Sequence, residues 1–242
     1  MLMPGPVRAV LCDLDDTLFD HAYATRCALA KLREIEPGFQ AWSLDAFDER
    51  HRVVLDRLHA LVLAGQRTVD TARVERFLTL LDQAGVTGDH DRADAAARFY
   101  RSTYLEDWRA VPGAVPLLDA LAAAGVPVII VTNNGVAEQR LKLARVDLAN
   151  RITALITSEE IGACKPERAI FDAALARAGV DAGDAVMLGD AWPTDIEGAL
   201  AMGIRAVWLN RRNEVAAHPG VRELQSLDDT ETVVEALLGP RA

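Results

Sequence analysis

Apolar positions recur along this chain in two rhythms. Short unbroken runs occur at Val7 to Leu11, Val126 to Val131, Ile152 to Thr157, Ala185 to Leu188 and Ala206 to Leu209. Each ends in a polar or glycine-containing turn, which predicts β-strands. Between Thr17 and Trp108 the rhythm is helical instead. Val74, Phe77, Leu78 and Leu81 follow the i, i+3, i+4, i+7 pattern, and Leu44, Phe47, Val54, Leu58 and Leu61 form a similar stripe. Pro37-Gly38, Gly65 and Gly85 to Gly88 punctuate this segment, so four helices are expected over about 21–36, 43–64, 68–84 and 90–107.

Beyond Pro112-Gly113, helices and strands alternate. Helices are expected over Ala114–Ala124, about 135–145, Pro166–Ala178 and Asp195–Met202, with a closing helix over Leu227–Leu238. Strands separated by helices of these lengths predict an α/β fold with a parallel sheet covered on both faces. The first strand finds no following strand until residue 126. The domain reading is therefore an α/β core from residues 1–17 and 109–242, interrupted by a helical insert over 18–108.

The composition narrows the function without naming it. Half of the 242 residues are apolar, enough for a sizeable core, and the formal net charge is -10. That charge, with no basic stripe, argues against a nucleic-acid polymer as partner. It is compatible with a phosphorylated substrate, because one cation and one lysine invert the sign locally. Cys12, Cys27 and Cys164 are odd in number and lack metal-ligand spacing, so they read as reduced thiols of a cytoplasmic protein. Met1 to Pro6 has no basic region followed by an apolar stretch, and no apolar run is long enough to cross a bilayer. No membrane partner is expected, and a monomer is the expected assembly.

Polar residues fall where the apolar runs break. They are Asp13-Leu14-Asp15-Asp16-Thr17, Thr132-Asn133, Lys165-Pro166, and Gly189-Asp190 followed by Asp195. In an open parallel sheet, ligands bind beyond the carboxyl ends of the strands, so these distant positions can converge. Alternation puts Asp13 and Asp15 on one side of an extended segment. Each motif also has a plainer reading. Asp13 and Asp15 suit turn chemistry, Thr132-Asn133 a strand-to-helix turn with a cap, Lys165 a solvated charge, and Asp190 and Asp195 a loop carboxylate and a helix cap. Asp16 and Thr17 read as local turn formers. Taken together, the set offers a carboxylate nucleophile, an acid/base, a hydroxyl, an ammonium and hard oxygen ligands, an inventory that fits phosphoryl transfer.

On these ordered motifs the chain resembles the haloacid dehalogenase-like (HAD) hydrolase superfamily over nearly its whole length. The insert directly after the first motif resembles the helical cap of subfamily I members. The resemblance implies a Rossmann-like parallel-sheet core, an α-helical cap domain and a Mg²⁺ cofactor. It implies Asp13 as nucleophile and Asp15 as acid/base, with Thr132, Asn133 and Lys165 holding the phosphoryl group. It implies metal ligation by Asp13, by Asp15 through its backbone carbonyl, and by Asp190, while Asp195 supports Lys165 or the metal shell. His21, Tyr23 and Arg26, on the first cap helix, are candidates for contact with the leaving group. Each of the three also reads as part of a solvated helix face.

Position 15 discriminates among the activities the resemblance implies. Dehalogenases of the superfamily carry a non-acidic residue there, because halide departs without a proton. The phosphonate hydrolases use a cap lysine, whereas Lys31, the lysine of this insert, reads as a helix-face charge. The expectation is a phosphatase acting on small phosphomonoesters, nucleoside monophosphates or sugar phosphates among them, through an aspartyl-phosphate. A phosphomutase of the same superfamily is the nearest alternative, although no sequence feature reserves a place for a second phosphate. A non-catalytic phosphate-binding member is the alternative outside enzymology. The pattern Arg73-x2-Arg76-Phe77 in the insert also resembles nucleotidases and sugar-phosphate phosphatases of this subfamily.

Overall fold

β1 (Ala9–Cys12) has every residue buried, and the rest of the sheet grows outward from it in both directions. In the computed structural model, which describes residues 5–215 and 220–240, β2 (Val128–Thr132) pairs with β1 on one side and β4 (Ala185–Gly189) on the other. β3 (Ala154–Thr157) extends the first side; β5 (Arg205–Leu209) and β6 (Arg222–Leu224) extend the second. The order is β3-β2-β1-β4-β5-β6 and every pairing is parallel. Met1 to Pro4, part of the segment read above for a leader, lie outside the described residues.

The chain divides into two compact units. One comprises Met1–Asp20 with Arg109–Ala242, and the other His21–Trp108. The boundary falls three residues later than the sequence placed it. Leu18, Phe19 and Asp20 stay with the sheet because the outgoing and returning segments pair with each other. Val111 N–H donates to Leu18 O at 2.8 Å, Phe19 bridges Ala110 antiparallel, and Asp20 N–H donates to Arg109 O at 3.1 Å. Asp20, 1 % exposed, holds this crossing further by accepting from Arg109 at 2.7 Å and Arg211 at 2.9 Å.

Within the sheet unit the strands alternate between two apolar faces. Leu11, Ile129, Val131 and Met187 join Ile170, Phe171 and Ala174 of α8 (Arg168–Ala178) and Ala199 of α9 (Glu197–Ala201) in one buried cluster. α5 (Ala114–Ala123) and α10 (Thr230–Leu238) pack together elsewhere in this unit and bury Leu117, Leu118, Leu121, Val233, Val234 and Leu237. Each such side chain contributes about 1.5–3 kcal/mol on burial. α6 (Val136–Arg145) and the short α7 (Ser158–Ile161) complete the crossovers around β3.

Three local features depart from the expected pattern. The helix expected over 195–202 begins as a π turn at Trp192–Ile196, and α9 proper starts at Glu197. Pro193 supplies no N–H there, and the Asp195 side chain turns inward to accept from Ala191 N–H at 3.1 Å. β6 carried no apolar alternation, since two of its three residues are exposed. Asp16 and Thr17, read as local turn formers, reach across the fold instead. The Asp16 carboxylate accepts from Arg212 at 3.2 Å, and the Thr17 hydroxyl donates to Asp190 at 3.4 Å.

The second unit is four helices, α1 (His21–Ile35), α2 (Leu44–Leu63), α3 (Val69–Gln83) and α4 (His90–Tyr104). Side chains of Ser43, Thr68 and Asp89 accept from backbone N–H groups three residues on, capping α2, α3 and α4. The buried face of α3 is rotated from the apolar stripe read in the sequence. Phe77 and Leu81 are buried as expected, but Arg76 and Leu80 lie inside with them, while Val74 and Leu78 are half-buried. On α2 the buried row is Phe47, His51, Val54 and Leu58.

Gly113 caps α5 with φ +85°, and a Cβ there would lie 2.0 Å from Leu227 O. Gly125, with φ +71°, closes the same helix against open space. Gly125→Ala is expected to cost about 1–2 kcal/mol of strain alone. Gly113→Ala, which adds a backbone collision, is expected to cost distinctly more, read as the larger loss of urea midpoint in a side-by-side comparison.

Candidate active site

The carboxyl ends of β1, β2 and β4 converge at the place where the strand order reverses, and each delivers polar side chains there. Asp13 follows β1 directly and is 7 % exposed. Its Oδ1 accepts from Lys165 Nζ at 2.6 Å, and Lys165 Nζ also donates to Asp195 Oδ1 at 2.7 Å. Lys165, read alone as a surface charge, is 3 % exposed. Asp195 is fully buried. An ammonium between two carboxylates compensates burial that neither acid tolerates alone.

Two residues act on backbone to keep this arrangement in place. Asn133 donates through Nδ2 to Lys165 O at 2.9 Å, and its Oδ1 accepts from Lys165 N–H at 2.6 Å. Its amide thus clamps the lysine loop, a task different from the ligand contact the resemblance implied. Gly189 ends β4 with Asp195 so close that a Cβ would stand 2.3 Å from its Oδ2.

Asp13, Asp190 and Asp195 place one carboxylate oxygen each within 4.8 Å of one another. Burial pushes Asp13 up to about 7 against the opposing pull of Lys165. Burial also raises Asp190 well above the ordinary carboxylate range, reinforced by Asp13, Asp16 and Asp195. Such a surplus of negative charge in hard oxygen ligands suits a small divalent cation. Within the trio, Asp195 already spends both oxygens on Lys165 and Ala191 N–H. Asp13 and Asp190 therefore carry the case for the cation, and Asp195 that for positioning the lysine.

Asp15 lies two residues beyond Asp13 but turns toward α6. Its Oδ1 accepts from Lys142 Nζ at 2.6 Å, and its Oδ2 from Gln139 Nε2 at 2.8 Å and Asn134 Nδ2 at 2.9 Å. Gln139 also donates to the Thr132 hydroxyl at 2.7 Å, which joins the end of β2 to the same group. Lys142 is 2 % exposed and sits 4.9 Å from the Phe19 ring centre. Neither Gln139 nor Lys142 was singled out in the sequence. Polar residues on a helix read as its solvent face, and only the position of Asp15 shows that this face turns inward. Trp192, beside the last motif, packs edge-on against Trp208 and donates to Glu197 at 3.0 Å. Trp208 in turn donates to Asp190 O at 2.8 Å.

The site described so far is built from the sheet unit alone. His21, Tyr23 and Arg26 belong to α1 of the helical unit. His21 shares a hydrogen bond of 2.8 Å with the Tyr104 hydroxyl, Tyr23 is 37 % exposed, and Arg26 pairs at the surface with Asp45 and Asp48. The three cysteines form no disulfide, and burial raises the Cys12 thiol well above its ordinary range. Among the described residues no helix is long and apolar enough to cross a membrane.

A parallel α/β sheet carrying an aspartate after its first strand, a lysine bridging two acids and a further acid after the fourth strand defines a hydrolase class. The chain belongs to the haloacid dehalogenase-like hydrolases, whose family model matches residues 7–203. It is 35 % identical over 217 residues to a ribulose-1,5-bisphosphate 5-phosphatase from Halopiger xanaduensis, covering 85 % of this chain and 86 % of that one. A HAD-hydrolase from Bacillus subtilis, YfnB, bound to magnesium, shares the fold at TM-score 0.75 and 24 % identity, covering 95 % of this chain and 99 % of that one. A 2-haloacid dehalogenase from Pseudomonas syringae pv. Tomato shares it at TM-score 0.60 and 29 % identity, covering 94 % and 98 %.

The raised Asp13 gives the cation-free protein a definite pH dependence. Because its folded value of about 7 lies above the unfolded one, its contribution to stability is complete below about pH 4 and is lost as pH rises through about 7. The melting temperature in chelator is expected to fall between pH 5 and pH 8. The fall should be smaller in Asp13→Asn, and a millimolar divalent cation should restore more stability at pH 8 than at pH 5. An equal restoration at both pH values would remove the acidic trio as the cation's site.

Proposed function

We propose that this hydrolase is a Mg²⁺-dependent phosphatase that hydrolyses small phosphomonoesters through an aspartyl-phosphate on Asp13. The observation that carries the reading is the pairing of a buried Asp13 with Lys165, next to a second acid, Asp15, whose carboxylate is held by its own set of donors. The name of the Halopiger relative supports phosphoester chemistry, and the acid at position 15 argues against dehalogenation, which needs no proton there.

Lys165 occupies one oxygen of Asp13, and among the described residues no side chain donates to the other. In the first step that carboxylate attacks phosphorus, the ester P–O bond breaks, and Asp15 in its protonated form donates to the departing alkoxide. In the second, Asp15 as carboxylate takes a proton from water, whose oxygen attacks phosphorus and releases Asp13 and inorganic phosphate. Lys165 neutralises charge on the transferring oxygens, and Thr132 offers its hydroxyl to one of them. Asp13, Asp190 and the backbone carbonyl of Asp15 would hold the Mg²⁺, which lends further charge neutralisation and orients the phosphoryl group.

Lys142, Gln139 and Asn134 donate to Asp15 and so describe its base form. They position the group for water activation. Its acid form needs a proton on an oxygen that now accepts from these donors, so the dock is loose before the leaving group departs and re-forms as Asp15 gives up its proton.

Phosphate release from an aryl phosphate should require the divalent cation and stop in Asp13→Asn, with the folded state kept by circular dichroism. Asp15→Asn should lose on the order of 10²–10⁴ in rate. Turnover that survives exhaustive chelation would remove the metal, and an active Asp13→Asn protein, free of deamidation, would remove the nucleophile.

Lys142→Met tests the dock. It should lower kcat for dinitrophenyl phosphate, whose ester departs without a proton so that hydrolysis of the aspartyl-phosphate limits the rate, at least as much as for alkyl phosphates, which depart as strong bases. A loss confined to the alkyl phosphates would assign Lys142 to protonating the leaving group instead.

A further inference from the structure

Gln139 stands on α6, wholly buried, and its side-chain amide serves two acceptors at once. Its Nε2 lies 2.8 Å from Asp15 Oδ2 and 2.7 Å from Thr132 Oγ1. Its carbonyl oxygen, Oε1, is buried with no hydrogen-bond partner. A glutamine amide can be turned end for end, so its direction follows from its neighbours. An ionised carboxylate only accepts, and Asp15 Oδ2 also accepts from Asn134 at 2.9 Å. The NH₂ end therefore faces Asp15, and the unpaired Oε1 is the consequence. A buried carbonyl without a donor is costly, so the direction of this amide is held against a penalty.

The direction of the amide decides the direction of a hydroxyl. The same NH₂ end faces Thr132, so the hydroxyl oxygen accepts there and cannot spend its proton on Gln139. Thr132 is 1 % exposed, and among the described residues Gln139 is the hydrogen-bond partner of its Oγ1. The hydroxyl proton is thus left for a ligand at the carboxyl end of β2. With the amide reversed, Oε1 would take that proton and the hydroxyl would turn lone pairs outward. Lone pairs repel a phosphoryl oxygen, whereas an O–H facing it forms a charge-assisted hydrogen bond.

We propose that Gln139 is a positioning residue that sets Thr132 as a donor toward the phosphoryl group. It occupies a lone pair of the hydroxyl, and Asp15 holds the amide in the direction this requires. The proposal rests on the reading above in which Thr132 meets the transferring oxygens. It adds that one amide on α6 both docks Asp15 and orients the hydroxyl at the end of β2.

The test measures equilibrium binding of inorganic phosphate to the full chain in millimolar Mg²⁺, so that no turnover enters. Gln139→Met keeps the length of the side chain and removes both N–H groups. It should weaken phosphate binding about three- to tenfold, the scale of one hydrogen bond. The loss should persist when the change is made on Thr132→Ser, which keeps a hydroxyl. On Thr132→Val, which has none to orient, the further loss should shrink to within about twofold. A residue that merely supports the fold loses equally on both backgrounds, and that result would overturn the proposal. Should Gln139→Met fail to fold, Gln139→Leu makes the same comparison.

A spectroscopic reading accompanies the affinities. The Gln139 side-chain ¹⁵N–H resonances, identified by their loss in the Gln139 variant, should move and saturate with phosphate in the wild type and in Thr132→Ser. In Thr132→Val the proton that faced Oγ1 should lose its response. Resonances that ignore phosphate in the wild type would overturn the proposal. Aryl phosphate hydrolysis by the same wild-type protein keeps the two readings apart. Phosphate binding without hydrolysis ends the phosphatase reading, and the pattern of affinities still decides the role of Gln139. Hydrolysis with equal losses on both backgrounds keeps the phosphatase and removes that role.

Discussion

The position of one ammonium group sets the terms for the sheet unit. Lys165 Nζ lies 2.6 Å from Asp13 and 2.7 Å from Asp195, and all three side chains are nearly or wholly enclosed. Remove the lysine and two carboxylates face each other in the interior, a loss of several kcal/mol for an uncompensated buried charge. The demand propagates outward. Asn133 is committed to the backbone of Lys165, Gly189 must lack a side chain for Asp195 to approach, and the turn at Trp192–Ile196 bends to aim Asp195 inward. Residues from β1, β2, β4 and the segment before α8 are thereby tied to a single charge.

The same lysine does not balance the site completely. Asp190 remains strongly raised by burial and by its acidic neighbours, and Asp13 stays near neutrality despite its ion pair. Asp15 has a separate cation of its own, Lys142, on a different helix. Two acids two residues apart therefore live in different electrostatic surroundings, Asp13 sharing its lysine with further buried acids and Asp15 held by a lysine and two amides. Divergent surroundings for paired carboxylates are what a nucleophile and an acid/base working in sequence require.

Sheet architecture and helical insert were legible because both rest on periodicity: unbroken apolar runs such as Val126 to Val131, and 3.6-residue stripes in the insert. The core motifs were legible because strand ends advertise them as polar breaks in apolar runs. What stayed hidden depends on orientation or on long-range pairing. Gln139 and Lys142 resemble any solvated helix face until Asp15 is placed beside them. Arg76 and His51 interrupt apolar stripes, and a periodic reading rotates the stripe to avoid them, which is why Val74 and Leu78 were expected inside. Asp16 looked like a turn residue because nothing local reveals Arg211 and Arg212, nearly two hundred positions later. β6 is a short polar edge strand with no pattern of its own.

Each unit carries a buried charge that its own residues leave unmatched, and the signs are opposite. In the sheet unit the excess is negative, at Asp13 and Asp190; in the helical unit it is positive, at Arg76. Neither contributes to folding, since replacing a buried charge by a well-packed apolar group is commonly neutral or stabilising. Elsewhere the same chain pairs its buried charges closely: Asp20 has two arginines, Lys142 has Asp15, and Glu36 has Arg92. In such surroundings the unmatched negative charge at Asp13 and Asp190 is what the proposed divalent cation would answer.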